Sequence, residues 1–352
     1  MPNPLLSTGK RLAFVLIAFA MFFMLLEGFS SCVLFLRGLI LDRGKELNSR
    51  RHVMHDPLLG WINLPNLRLT NYYGDGVNLS TNSQSHRGTK EYERAVPSGQ
   101  RRLLCMGDSF TLAIGVGDDE TFCHKLSALD PHLETVNLGE AGYGFDQVYL
   151  KYKREGAKVD HQVVLISLIE DDFNRMQGPR FLTYEKPFVT VREGKLKVLN
   201  LPVPRISALQ TWFRINQSIF DNLKTVDLGR RIANRLLGPV APSHPPETVS
   251  TEDVARLLLR ETVMTARSRG AVPVFVYFKQ DIRNNWKEGT WRTLLAEELD
   301  AQGVLFIDLM SEFHALPPAQ IQKLYHPRWK HYTAEANALV ARAILARLPR
   351  AK

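Results

Sequence analysis

The chain has 352 residues, 45% of them hydrophobic, which suits a packed domain of ordinary size with additions and excludes a mainly disordered chain. Its net charge of +9 favours anionic surroundings such as a phospholipid surface, an acidic polysaccharide or nucleic acid. The basic residues are scattered and no zinc-finger or RNA-binding signature occurs, so nucleic acid is the least favoured of the three partners.

The first long apolar segment follows Lys10 and Arg11. It runs without a polar residue from Leu12 to Leu26 and resumes after Glu27. A helix of about 25 such residues is long enough to cross a bilayer. A cleaved signal peptide is the alternative interpretation, but the segment lacks an A-x-A-like cleavage site, so we predict an uncleaved transmembrane helix.

The orientation of this anchor is ambiguous from charge. Two basic residues precede the apolar segment and five follow it between Arg37 and Arg51, a pattern that by itself favours a cytoplasmic domain. Domains of this length can cross the membrane largely regardless of charge. We expect the domain to be extracytoplasmic, on the strength of the resemblance described below.

The three cysteines lie in different settings: Cys32 in the apolar segment, Cys105 in a predicted strand and Cys123 in a predicted helix. Their number and spacing indicate neither a disulfide framework nor a structural zinc site. We therefore expect three small buried side chains, and neither a metal nor a cofactor.

Five apolar runs after residue 100 predict buried strands: RRLLCMG, TVNLG, QVVLISL, VPVFVYF and VLFID. Helical patterns separate them, one after Ser109 and others over 147–156, 252–269, 286–302 and 335–348. Alternating strands and helices predict an α/β fold, a flavodoxin-like three-layer α/β/α arrangement with a central five-stranded parallel sheet. In such a sheet the ligand crevice lies at the carboxyl ends of the strands.

Two segments do not fit this alternation. Residues 45–100, between an anchor over 1–44 and the α/β domain over 101–350, predict a β-rich or irregular lead-in. Residues 176–250 predict an insertion, with a hairpin turning at Glu193 and Gly194, an amphipathic helical stretch and a proline-rich loop over 239–247. An insertion of this kind either shapes substrate access or is decoration.

Four segments carry polar or glycine residues directly after predicted strands or before the last helix. In chain order they are GDSF (107–110), NLGEAGYG (137–144), IEDD (169–172) and HYTAEAN (331–337). A hydroxyl at a strand-to-helix turn is well placed for nucleophilic attack, and a histidine whose pKa lies near neutrality is suited to take its proton. The alternative is structural, with Ser109 as a helix N-cap and the glycines as turn residues.

In this order, the four segments resemble the SGNH (GDSL-like) hydrolase family. The resemblance implies that Ser109 is the nucleophile and His331 the base. It also implies that Gly142, with Gly144 as the other candidate, lends a backbone N–H to the oxyanion hole. Asp171 stands where the family has an oxyanion-hole Asn, and a carboxyl could donate there only if burial favoured its neutral form.

The family's orienting Asp, two or three residues before the histidine, is replaced by Arg328 and Trp329. His326 offers an alternative register, HPRWKH, which lacks the Asp as well. The alternatives are a slower Ser–His dyad, a carboxylate from elsewhere, with Asp308 as a remote candidate, or no catalysis.

The likeness extends upstream through HDPLLGWINLPN (55–66) and NSQSHRG (82–88), which are similar to the lead-in of membrane-anchored envelope SGNH proteins. It implies acyl-ester chemistry, by an esterase or an acyltransferase, on O-acyl groups, commonly O-acetyl, of an envelope or secreted polysaccharide. A catalytically silent module that binds glycan or organises an envelope assembly is the second hypothesis.

Overall fold

The computed structural model describes residues 8–49, 52–182, 184–205, 249–280 and 290–349. Helix α1 (Thr8–Ser49) is continuous over 42 residues, past the predicted boundary at residue 44. Its segment Gly9–Phe29, with mean hydropathy 2.4, is long and apolar enough to span a membrane, and its large apolar side chains are exposed. A signal sequence meets the same criteria of length and composition. The described residues from 52 onward form a separate compact unit.

The lead-in contains two antiparallel hairpins. Strand β1 (Val53–Asp56) pairs with β2 (Gly60–Asn63), and β3 (Arg68–Gly74) pairs with β4 (Val77–Ser80). Gly60 has a φ of +89°, and a Cβ there would lie 2.5 Å from the carbonyl oxygen of Glu185, so the turn between β1 and β2 requires glycine.

The central sheet has five parallel strands: β5 (Arg101–Met106), β6 (Leu133–Asn137), β7 (Val163–Leu168), β12 (Val272–Tyr277) and β13 (Leu305–Asp308). Their spatial order is β13-β12-β7-β5-β6, which is the flavodoxin-like order 2-1-3-4-5 read from the other edge. All five predicted strands and the predicted fold class are confirmed.

Nine further helices are described: α2 (Ser109–Leu112), α3 (Phe122–Leu129), α4 (Phe145–Glu155), α5 (Glu170–Asn174), α6 (Thr251–Ser268), α7 (Thr290–Ala301), α8 (Met310–His314), α9 (Pro318–Lys323) and α10 (Ala334–Leu345). Helices α4, α6 and α7 contribute apolar side chains to one buried cluster, and α3 and α10 contribute to another. Alternate residues of β5 belong to opposite clusters: Leu104 and Met106 to the first, Leu103 and Cys105 to the second. The sheet is therefore covered on both faces.

Cys105 and Cys123 form a disulfide between strand β5 and helix α3, with a Cα–Cα distance of 6.2 Å. Our expectation of three unpaired buried cysteines is therefore wrong. The pairing arises because α3 folds back onto the sheet, which brings together two residues 18 positions apart. Cys32, in α1, is free and exposed rather than buried.

The insertion begins with short strands β8 (Arg180–Phe181) and β9 (Tyr184–Glu185), followed by the hairpin of β10 (Phe188–Arg192) and β11 (Lys195–Leu199). Its two-residue turn is Glu193–Gly194, as predicted, and both have positive φ, 52° and 71°. The predicted amphipathic stretch and the proline-rich loop lie outside the described residues.

Arg87 ties the lead-in to the chain that follows α2. Its buried guanidinium pairs with Asp118 at 2.6 Å and donates hydrogen bonds to the carbonyl oxygens of Leu112 (3.1 Å) and Val116 (2.8 Å). A buried cation with this many acceptors fixes the loop that connects α2 to α3.

Candidate active site

Ser109 is the first residue of α2, at the carboxyl end of β5, and only 6% of its surface is exposed. The N-cap is Asp108, whose Oδ1 accepts the N–H of Phe110 at 2.9 Å, so the alternative role of Ser109 as an N-cap is wrong. Gly107 lets the turn pack closely, because a Cβ there would lie 2.1 Å from Thr111 Oγ1 and 2.7 Å from the Ser167 carbonyl oxygen.

The structure brings Ser109 and His331 together across 222 positions of sequence. The distance from Ser109 Oγ to His331 Nε2 is 2.8 Å, which is within hydrogen-bond range. His331 lies on the loop before α10, and its ring packs against that of Phe110 with centroids 4.6 Å apart.

The second ring nitrogen of His331 is held by a main-chain group. Nδ1 lies 2.6 Å from the carbonyl oxygen of Trp329, which can only accept a hydrogen bond. Nδ1 therefore carries the proton, which leaves Nε2 free to accept the hydroxyl proton of Ser109. Burial lowers the pKa of His331, while the Trp329 carbonyl and the Asp108 carboxylate act in the opposite direction. The imidazole is thus poised as a neutral base.

This carbonyl occupies the place of the missing carboxylate. Asp308, the remote candidate, pairs with Arg292 at 2.5 Å and accepts the N–H of Met310 at 2.9 Å. Both ring nitrogens of His331 are engaged elsewhere, so the suggestion that Asp308 orients the ring is wrong. Trp329 contributes through its main chain, which side-chain patterns do not reveal.

A buried charge network lies beside the serine. Asp108 Oδ2 lies 3.1 Å from Ser109 Oγ and accepts a hydrogen bond from Arg175 Nη1 at 3.0 Å. Arg175 also donates to Asp172 Oδ1 at 2.8 Å and to the Tyr143 carbonyl oxygen at 2.9 Å. Burial, and then the neighbouring Asp108 charge, raise the pKa of Asp172 well above its ordinary value. Arg175 was not among the predicted site residues, because no motif marks it.

The glycine-rich segment after β6 packs directly on the Ser109 turn. The Glu140 N–H donates to the Gly107 carbonyl oxygen at 3.1 Å, and a Cβ on Gly139 would lie 2.1 Å from the Leu112 nitrogen. The N–H of Gly144 donates to the Gln147 side chain at 3.3 Å. The N–H of Gly142, where φ is +78°, has no acceptor among the described residues. Gly142 is therefore the better candidate for an oxyanion donor.

Asp171 lies on α5, just after β7, with 44% of its side chain exposed. Its carboxylate accepts a hydrogen bond from the Gln280 side-chain amide, and its own N–H donates to Gln280 Oε1 at 3.4 Å. The burial that would favour a neutral carboxyl is found at Asp172 instead. Gln280 was not predicted as a site residue, because it follows β12 without a recognisable motif.

No family model and no curated protein matches the chain. Solved structures with a similar arrangement include a member of the lipolytic protein G-D-S-L family from Veillonella parvula (13% identity, 70% of this chain and 99% of that chain, TM-score 0.38). A second is a catalytic mutant of an acetylxylan esterase from Geobacillus stearothermophilus (13% identity, 71% of this chain and 95% of that chain, TM-score 0.39). A third is the psychrotrophic esterase EstA from a Pseudoalteromonas species (10% identity, 70% of this chain and 96% of that chain, TM-score 0.39).

The predicted resemblance to SGNH hydrolases is confirmed for the fold. The five parallel strands have the expected order, and the four segments that carry the resemblance follow β5, β6 and β7 or precede the last helix.

Proposed function

We propose that the chain is a membrane-anchored serine esterase or acyltransferase that acts on O-acyl groups, with O-acetyl groups of an envelope or secreted polysaccharide as the favoured substrates. The observation that carries the proposal is the 2.8 Å contact between Ser109 Oγ and His331 Nε2, with His331 Nδ1 oriented by a carbonyl. The polysaccharide substrate rests on the resemblance of the sequence.

In the proposed reaction, Ser109 Oγ attacks the ester carbonyl carbon while His331 Nε2 takes the hydroxyl proton. The Gly142 N–H donates to the oxyanion of the tetrahedral intermediate. His331 then gives its proton to the departing alcohol oxygen, which leaves an acyl-Ser109 ester. Water or a sugar hydroxyl attacks that ester, His331 accepts the attacker's proton, and the proton returns to Ser109 as the acyl group leaves.

A serine-directed phosphonate tests the nucleophile. We expect the full chain in mild detergent to be labelled once, at Ser109, and to hydrolyse a small acyl ester such as 4-nitrophenyl acetate. Ser109→Ala should abolish labelling and lower the hydrolysis rate by at least about 10³-fold. Ser268→Ala, an exposed serine on α6, is the matched control and should react like the wild type. Labelling that survives Ser109→Ala would refute the assignment.

The second candidate function is a catalytically silent glycan-binding or scaffolding module. The exposed carboxylate of Asp171 at the position of the family's amide favours it, because a negative charge there opposes an oxyanion. Absence of both labelling and hydrolysis in the wild-type chain, together with retained binding to acetylated polysaccharide, would favour this module over the enzyme.

We also propose that α1 anchors the chain in the inner membrane with the domain on the extracytoplasmic side. The Cys105–Cys123 disulfide supports this orientation, because such bonds persist in oxidising compartments and are rare in the cytosol.

Thiol trapping tests the orientation. Cells are precipitated with acid, the protein is denatured in N-ethylmaleimide so that every free thiol reacts, and it is then reduced and labelled with a maleimide polymer. We expect the label to add to two cysteines, with no addition in the Cys105→Ala/Cys123→Ala variant. A membrane-bound chain in which all three cysteines had already reacted with N-ethylmaleimide would place the domain in the cytoplasm.

A further inference from the structure

The loop that carries Trp329 and His331 is closed by His326. Tyr325 and Tyr332 form an antiparallel bridge at its base. Inside this bridge, the His326 N–H donates to the His331 carbonyl oxygen at 2.7 Å, and the Lys330 N–H donates to the His326 carbonyl oxygen at 2.8 Å. Four residues, 327–330, thus form a tight turn between two histidines.

The ring of His326 folds back over this turn. Its Nδ1 accepts the main-chain N–H groups of Arg328 at 3.2 Å and Trp329 at 3.3 Å. Nδ1 can accept only without a proton, so this arrangement requires the neutral ring with its proton on Nε2. The side chain acts as Asp and Asn do in turns, where an acceptor gathers the N–H groups of the next residues.

The peptide group between Trp329 and Lys330 links this turn to the site. Its carbonyl accepts the Nδ1 proton of His331, and its N–H donates to the main chain of His326. On the other side, the indole of Trp329 packs against Gly115, where a Cβ would lie 3.0 Å away, and against Tyr73, with ring centroids 5.5 Å apart. The orientation of the Trp329 carbonyl therefore depends on how the turn is held.

We propose that His326 is a positioning residue for the reaction proposed above. Its neutral ring fixes the turn that presents the Trp329 carbonyl to His331, and protonation of His326 releases it. A protonated ring would point an Nδ1–H at two N–H donors, and both hydrogen bonds would be lost. The proposal rests on the proposed function, in which a correctly oriented His331 is the base.

The charges around His326 favour its neutral form. Burial is the main cause that lowers the pKa of His326, followed by the cations Arg328 and Lys330 of the same turn. His331 is the other titratable group that faces it, and each imidazole makes protonation of the other less favourable. Among the described residues, no carboxylate offsets these effects at His326.

The pH dependence of activity tests the proposal. His331 must be neutral for reaction, and protonation of His326 should lower the rate by about a further ten-fold, so log kcat/KM of the wild type should fall with a slope steeper than 1 over about one decade on the acid side. His326→Asn keeps an acceptor that does not titrate. We expect it to retain kcat/KM within about three-fold at pH 8 and to show a slope of about 1. His326→Ala should lower kcat about ten-fold at pH 8, leave KM unchanged, and approach the wild-type rate at acid pH, where His326 of the wild type is protonated.

His132→Asn, an exposed histidine elsewhere, is the control and should keep the wild-type slope. A slope steeper than 1 in His326→Asn, or wild-type kcat in His326→Ala at pH 8, would overturn the proposal. Nitrogen-15 NMR of labelled histidines gives a readout that needs no turnover. His331 should be protonated at Nδ1 in the wild type and in His326→Asn, and should show mixed tautomers in His326→Ala.

A wild-type chain without labelling or hydrolysis would contradict the proposed function, and the tautomer spectra would still decide the role of His326. An unchanged His331 tautomer in a folded His326→Ala chain would then count against it.

Discussion

His331 is oriented by the Trp329 carbonyl, where a charged carboxylate is usual in Ser–His catalysis. A carbonyl fixes the ring and its tautomer as well as a carboxylate does. It stabilises the imidazolium less, because it carries only a partial charge. The nearest compensating charge is Asp108, which raises the pKa of His331 against the effect of burial. The structure thus preserves the orientation of the His331 ring, while the imidazole is a weaker base than one paired with a carboxylate.

At the position of Asp171, we predict that Asp171→Asn increases kcat. The substitution removes a negative charge from the edge of the site and supplies an amide donor, and one such donor contributes about 10²–10³-fold elsewhere. Because the carboxylate is exposed and paired with Gln280, a smaller gain of about ten-fold is expected here.

The measurement for Asp171→Asn is kcat with 4-nitrophenyl acetate at pH 8, with Asp119→Asn, at another acidic position, as the control. An unchanged or lower kcat would show that Asp171 does not face the oxyanion, and would remove it from the proposed site.

The residues of the site divide by the kind of signal they leave in sequence. Ser109, Gly142 and His331 stand in short segments whose positions after strands or before a helix can be recognised. Arg175 and Gln280 reach the site through their side chains from positions that no motif marks. The role of the Trp329 main chain could not be predicted at all, because it depends on the path of one turn.

At the scale of elements, apolar runs and turn residues were sufficient for the sheet. All five parallel strands and the Glu193–Gly194 turn were predicted, because burial on both faces and a two-residue hairpin leave strong local patterns. The helices over 147–156, 252–269 and 335–348 correspond to α4, α6 and α10. Helix α7 begins at Thr290, and the first residues of its predicted range lie outside the described residues.

Elements that depend on tertiary contacts were missed. The short helices α8 and α9, between β13 and the His331 loop, have too few turns to show a periodic pattern. The Cys105–Cys123 disulfide has no local signature either, since it joins a strand to a helix that packs on it. Pairing of this kind becomes visible only after the fold is known.

For the molecule as a whole, we predict that stability falls as the pH drops below about 6.5, and that His86 is one cause. Burial lowers the pKa of His52 to about 4 and that of His86 to about 3. The unfolded chain, with ordinary histidines, then binds more protons than the native one. The free energy of unfolding is therefore at its full value above pH 6.5. On acidification it falls by about 1.4 kcal/mol per pH unit for each histidine, until the native pKa of that histidine is reached.

Thermal unfolding of the full chain in mild detergent, at pH 7.5 and pH 5.0, measures this effect. His86 is 4% exposed, and neither ring nitrogen has a partner among the described residues, so His86→Phe should be tolerated at pH 7.5. At pH 5.0 it should be more stable than the wild type by roughly 2 kcal/mol. His132→Phe, at an exposed site, should lose as much stability between pH 7.5 and pH 5.0 as the wild type does. If His86→Phe also lost as much as the wild type, the prediction would be contradicted.

The guanidinium of Arg87 has a consequence for how this protein can be divided. It satisfies carbonyl groups just downstream of Ser109 from a segment that precedes the first strand of the sheet. A fragment that begins at residue 101 would keep every strand of the central sheet. It would lack the hydrogen-bond donors for those carbonyl groups, and the turn after Ser109 would lose its support. The smallest fragment expected to keep the site intact therefore begins well before residue 101. If recombination moved the α/β domain into another protein, the lead-in would have to move with it.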